Sequence, residues 1–258
     1  MSGAPAWIGA LRRSHDRLAA LVAELDDGDA ARRSGCDQWT VAQVLSHLGS
    51  QAEIFSLVAD SALSGGTAPG PGQFGPIWDA WNARTPGEQV ARSISADDAL
   101  VSRFEGLGAD QLAAFRLGLF GAERDAIGIL RMRLSEHALH TWDVAVAFDS
   151  SAQVAADAVE LLVDGLGDTA GRAGRAPERP IRAAVTTSAP ERRFTLTTDD
   201  GVRLEPGGDE GSTPSIEMPA EALLRLVYGR LRGEHPARGP VREAGVSLAE
   251  LVPVFPGF

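Results

Sequence analysis

The chain contains no lysine and a single cysteine, Cys36. One cysteine leaves no partner for an internal disulfide, and it excludes zinc ribbons and cysteine-cluster sites. Positive charge is scarce as well. Twenty-four basic side chains, all arginine, stand against 35 acidic ones, for a net charge of −11. A protein that grips nucleic acid or an anionic membrane wants a basic face, so neither is an expected partner. No stretch approaches about 18 uninterrupted apolar residues, and no basic segment leads into a long apolar run near the N-terminus. The expectation is therefore a cytoplasmic protein. What is present is ordinary for a soluble globular chain: 44% hydrophobic and 23% charged residues. At 258 residues the chain suits one large domain or two small ones, with a sizeable core.

The apolar residues in 6–27 recur at helical spacing, through Ile8, Leu11, Leu18, Leu21, Val22 and Leu25. His15 falls among them and reads as a buried helix-face histidine. Thr40 followed by Gln43 is a capping box, so a helix starts after Thr40 and carries Val44, His47, Leu48, Ile54 and Phe55. The Gly/Pro stretch 64–76 reads as a loop. A helix resumes over 77–92 and breaks near Pro86-Gly87. Ser95 reads as the N-cap of another, with acids in its first turn. A long helix is expected from Ala122 to about Phe148, and a further one over 151–171. Charged Gly/Pro-containing residues 172–180 read as the domain boundary. Beyond them the period changes. Residues 181–187, 193–198, 202–206 and 215–218 read as short strands with turns between. Pro219 opens a helix that ends near Gly229. Residues 246–258 read as a short helix with an apolar, Pro-rich end.

The stretch 134–144 concentrates chemistry. Glu136 and His140 are four apart, so they share one helix face about a turn from each other. A carboxylate and an imidazole stacked this way can share a divalent metal, and two His with one Glu leave a position open for water or substrate. His47, on an apolar helix face elsewhere, fits two readings: a buried histidine bonded to a carbonyl, or the third ligand. His137, three before His140, is a rival ligand on the same helix. Asp143, three beyond His140, is placed to accept a hydrogen bond from that imidazole's other nitrogen.

Two motifs carry a family resemblance. Trp-Thr-Val-x-x-Val-x-x-His-Leu stands as Trp39, Thr40, Val41, Val44, His47 and Leu48. Glu-x-x-x-His-x-Trp-Asp stands as Glu136, His140, Trp142 and Asp143. In these, and in its C-terminal region with Tyr228-Gly229-Arg230, the chain resembles the mycothiol-dependent maleylpyruvate isomerase family of the DinB-like metalloenzymes. The resemblance implies an α+β fold. A DinB-like four-helix bundle would span 1–172, and a smaller α+β domain, related to sterol-carrier proteins, would span 180–258 and close the site. It implies His47, Glu136 and His140 as ligands of a divalent metal, most simply zinc, with His137 as a neighbour. The family commonly has a Cys-Pro-Gly-Trp turn where this chain has Cys36-Asp37-Gln38-Trp39, so substrate preference does not carry over.

The implied activity is mycothiol-dependent. A metal-held thiolate adds to an electrophilic small molecule, as in the cis–trans isomerisation of maleylpyruvate to fumarylpyruvate. Arg230 is the first choice for binding substrate carboxylates, since the planar guanidinium grips a carboxylate at two points; Arg84 and Arg232 are reserves. Asn82 is a further candidate for positioning thiol or carboxylate. For each of these the plain alternative is a surface or helix-end residue. The same fold also suits a mycothiol S-transferase or thiol-exchange enzyme acting on a specialised metabolite. A non-catalytic DinB-like binding or regulatory protein is the alternative from another class. The chain is expected to act as a monomer or homodimer.

Overall fold

The computed structural model describes residues 3–119, 121–208 and 214–257. It is mixed α+β, helical in its N-terminal part and strand-rich in its C-terminal part. By its internal contacts the chain divides into two units, Met1–Ala152 and Gln153–Phe258.

The first unit is built on four long helices: α1 (Ala4–Val22), α3 (Val41–Ser64), α5 (Pro86–Glu105) and α7 (Ala126–Ala145). α1 packs on α5 and α7, and α3 packs on the same two, which closes a bundle. Its core includes Leu18 and Val22 of α1, Val44, Leu45 and Leu48 of α3, and Val144 of α7. Between α1 and α3 lies the one-turn α2 (Asp27–Ala30), capped by Asp26, which accepts from Asp29 N. The capping box expected at Thr40 is formed: Thr40 Oγ1 accepts from Gln43 N at 3.2 Å, and Gln43 Oε1 accepts from Thr40 N at 2.8 Å.

Three local expectations change. The Gly/Pro stretch 64–76 is a loop only as far as Gly70. Pro71 is the first residue of α4 (Pro71–Asn82), where its missing N–H costs nothing, and Pro76 is carried inside that helix. The helix after it is capped by Thr85, not Ser95. Thr85 forms its own capping box with Glu88, so Pro86 and Gly87 open α5 rather than break a helix; Ser95 lies mid-helix. The helix expected from Ala122 starts at Ala126. It is capped by Asp125, whose Oδ1 accepts from Gly128 N at 2.7 Å. The short α6 (Ala109–Ala114) precedes it, then the hairpin of β1 (Arg116–Leu119) and β2 (Ala122–Asp125).

The second unit opens with α8 (Ala156–Leu162), a 3-10 turn (Val163–Gly165) and α9 (Leu166–Ala173). These residues, expected in the bundle, pack instead on this unit's own elements. Its sheet has strand order β5-β4-β3-β6-β7, from β3 (Arg182–Ser188), β4 (Arg192–Thr197), β5 (Arg203–Pro206), β6 (Ser215–Pro219) and β7 (Arg242–Ala244). β3, β4 and β5 form an antiparallel ribbon, and β6 joins β3 in parallel. Ala183, Val185, Phe194, Leu196, Ile216 and Met218 alternate inward, as half-buried strands require. β7 is an exposed edge strand with no apolar alternation, which is why the sequence does not signal it. α10 (Ala220–Val227) follows β6 directly, and α11 (Leu248–Leu251) precedes the C-terminal turn. No described helix is long and apolar enough to cross a membrane.

Candidate metal centre

Facing turns of α3 and α7 build the site. His47 and Gln51 lie one turn apart on α3. Glu136, His140 and Asp143 follow one another along α7. His47 Nε2 is 3.2 Å from Glu136 Oε2, and His140 Nε2 is 3.6 Å from the same oxygen. One ligand atom from each of the three residues falls within 4.8 Å of the others. The two imidazoles meet edge-on at 4.9 Å between centroids. Trp39 roofs them, 5.1 Å from His47 and stacked over His140 at 6.1 Å.

The turn that carries Trp39 is anchored on α7. Gly35 N donates to Asp143 O at 2.7 Å, and a Cβ at Gly35 would meet Val146 Cγ1 at 2.7 Å, so only glycine allows this approach. Gln38 adopts φ +62°, the left-handed region that favours glycine. Cys36 also lies here, within 4.8 Å of ligand atoms of His140 and Asp143.

The electrostatics favour ligand-competent forms. Burial opposes ionisation of Glu136, but the neighbouring His140 and His47 imidazoles outweigh it and hold the carboxyl well below the usual carboxylate range. Burial pushes the His47 imidazole down, against the pull of Glu136, and so favours its neutral form. His140 Nδ1 and Asp143 Oδ2 are 2.8 Å apart. With Asp143 accepting, the proton sits on Nδ1 and the lone pair on Nε2, which faces Glu136. Two neutral imidazole nitrogens and a carboxylate oxygen, converging on one small volume, fit a divalent ion such as zinc.

The second cluster in this unit is one the sequence reading missed. Arg133, fully buried on α7, donates through Nη1 to Gln51 Oε1 at 2.9 Å and through Nη2 to Asp97 Oδ1 at 2.6 Å. Asp97 Oδ2 bonds His15 Nδ1 at 2.8 Å, and it lies 2.9 Å from His137 Nε2, off the line of a well-directed hydrogen bond. Ser14 Oγ is 2.9 Å from His137 Nδ1. Burial alone would raise the Asp97 carboxyl. The facing His137 ring, the Arg133 charge and the hydrogen bond from His15 overcome that and hold it well below the usual range. Burial likewise lowers His137. His15 and His137 thus face Asp97. The signal available in the sequence was spacing: Arg133 is three before Glu136, and Gln51 is four after His47.

The remaining residues stand elsewhere. Arg84 lies 3.8 Å above the Trp81 ring and 4.0 Å from Glu53. Asn82 is an exposed residue at the end of α4. In the second unit, Arg230 N donates to Arg225 O at 2.7 Å and Arg230 Nη1 to Tyr228 O at 3.1 Å. Arg225, buried against Glu221 at 2.7 Å, holds this segment through the carbonyls of His235 and Pro236. Gly229 is required there: it has φ +70°, and a Cβ would meet Gly257 at 2.4 Å.

Comparison with known proteins shows the fold and the family. The fold is similar to the crystal structure of the mycothiol-dependent maleylpyruvate isomerase, with a TM-score of 0.68 over 94% of this chain and 96% of that one, at 14% identity. A crystal structure of a histidine-to-alanine mutant of that isomerase aligns equally well. No curated protein matches the chain. The family described as mycothiol maleylpyruvate isomerase N-terminal domain matches residues 11–145, more than half of the chain and all four bundle helices except the first turns of α1. The chain belongs to that family.

Proposed function

We propose that the protein is a metal-dependent, mycothiol-dependent enzyme acting on an electrophilic small molecule, with His47, Glu136 and His140 as the metal ligands. The observation that carries this reading is the convergence of three ligand atoms from α3 and α7 within 4.8 Å. When bound, a divalent ion such as zinc would supply the Lewis acidity that turns a thiol into its nucleophilic thiolate. The chain's residues do the rest. Asp143 fixes the tautomer and direction of His140, and Trp39 covers the two imidazoles. Arg230 is proposed, from the resemblance of its Tyr228-Gly229-Arg230 segment, as the fork that grips substrate carboxylates. Asn82 and Arg84 stay as candidates for positioning thiol or substrate. For a cis-enone such as maleylpyruvate, addition of the sulfur makes the double bond a rotatable single bond, and its expulsion gives the trans isomer.

The turn beside the site supports a second reading. Asp37 is exposed where the family commonly has proline, so the turn before Trp39 departs from the family pattern and the family's substrate preference does not carry over. A mycothiol S-transferase acting on another electrophile uses the same residues and keeps the new C–S bond.

Metal analysis and one assay test both. The protein should hold about one equivalent of divalent metal and, with mycothiol, convert maleylpyruvate; formation of a stable conjugate with another electrophile instead selects the transferase. His47→Ala should lose metal and activity together. A wild-type protein with no stoichiometric metal, or a fully active, metal-loaded His47→Ala, overturns the proposal.

A further inference from the structure

Gln51 is the only side chain besides the two histidines that the described contacts place on Glu136 Oε2, with its Nε2 at 2.8 Å. An amide is nearly symmetric in shape, so something must decide which end faces the carboxylate. Arg133 decides it. A guanidinium only donates, so Gln51 must turn its carbonyl oxygen toward Arg133 Nη1, 2.9 Å away, and its NH2 toward Glu136. A flipped amide would set oxygen against carboxylate and N–H against guanidinium. Arg133 has no exposed surface and cannot swing away. It is tied to α3 through Leu48 O at 3.2 Å, and to α5 through Asp97 Oδ1 at 2.6 Å.

We propose that Gln51 and Arg133 are positioning residues for Glu136, with Asp97 supplying the counter-charge that keeps Arg133 in place. This rests on Glu136 being a metal ligand. A carboxylate held by a fixed donor meets an ion in one orientation. Freed, it can rotate away, and it must be reordered when metal binds. The chain of contacts crosses three helices, from Asp97 on α5 through Arg133 on α7 and Gln51 on α3 back to Glu136 on α7.

The test compares Gln51→Met and Arg133→Met with wild type by zinc competition against a chromophoric chelator, together with the visible spectrum of the cobalt(II)-substituted proteins. Gln51 is half-buried, so Gln51→Met keeps the inference testable if Arg133→Met does not fold. Partners of metal ligands typically contribute about 10–100-fold to affinity, and Gln51→Met should weaken zinc by that factor and shift the cobalt spectrum. The metal-free Gln51→Met protein should stay folded at the assay temperature but melt lower than metal-free wild type, because buried Arg133 loses the acceptor of its Nη1. Where both variants fold, the double variant should bind no more weakly than the weaker single, because the two act in series. Wild-type zinc affinity and an unchanged cobalt spectrum in Gln51→Met, alongside metal loss in His47→Ala, overturn this inference and leave the metal site standing. Absence of metal from wild type overturns both.

Discussion

His140 would serve as a ligand through Nε2 only if its proton stays on Nδ1, and its contact with Asp143 favours that. Asp143 is fully buried, with Oδ2 2.8 Å from that nitrogen. Asp143→Asn keeps the shape but can present its NH2 to the ring and reverse the tautomer. Zinc affinity, read by chelator competition, should fall by about 10–100-fold. An unchanged affinity would mean that the ring is oriented by other contacts. The spacing of Glu136, His140 and Asp143 made this geometry legible in the sequence, because i, i+3 and i+4 positions meet on any helix. The choice between His137 and His140 was not. It depends on which helix each ring faces, and His137 turns to Ser14 of α1 and Asp97 of α5. Arg133 and Gln51 escaped notice for the same reason. A buried arginine is rare, and without the fold nothing tells it apart from a solvated one.

At the scale of elements, α3 and α4 meet through a glycine. A Cβ at Gly49 would lie 2.1 Å from Trp81 Cη2 and 2.2 Å from Cζ3. Alanine in mid-helix normally gains about 0.5–1 kcal/mol over glycine. Here that gain is opposed by overpacking of about 1–3 kcal/mol, since Trp81 is buried and donates from Nε1 to Glu53 Oε1 at 2.9 Å. Gly49→Ala should therefore melt lower than wild type by several degrees; an equal or higher melting temperature would contradict the steric account. Element starts were legible where a side chain caps, as at Thr40. They were misplaced where two signals competed. Pro86-Gly87 reads as a break until Thr85 and Glu88 are seen to form the cap around it. At 122–125, Ala-Glu-Arg-Asp has no strand alternation, and only its pairing with Arg116–Leu119 makes it a strand.

For the whole chain, Gly, Pro and charge at 172–180 suggested a domain boundary, yet those residues join α9 to β3 within one unit. Composition finds exposed linkers; it does not say which side of a linker a helix packs on. The division at Ala152 has a practical use. All five tryptophans, Trp7, Trp39, Trp78, Trp81 and Trp142, precede it, so tryptophan fluorescence reports the helical unit alone. In metal-free protein that signal should show stability falling with acid in two stages. His47 and His137 have lowered folded pKa values, so below about pH 6.5 the unfolded chain takes up protons that the fold refuses. Asp97 and Glu136 are also held down. Their contribution is fully present above about pH 4 and is lost as pH falls further toward the folded values. Both stages have the same sign, because the unfolded state binds more protons in each. Asp97→Asn leaves Arg133 buried without its counter-charge. It should cost about 3–5 kcal/mol at neutral pH and make the lower stage shallower. Denaturant titrations from pH 7.5 to 3.5 check this, and a variant with the wild-type slope below pH 4.5 would show that Asp97 is not the group whose protonation opens the bundle.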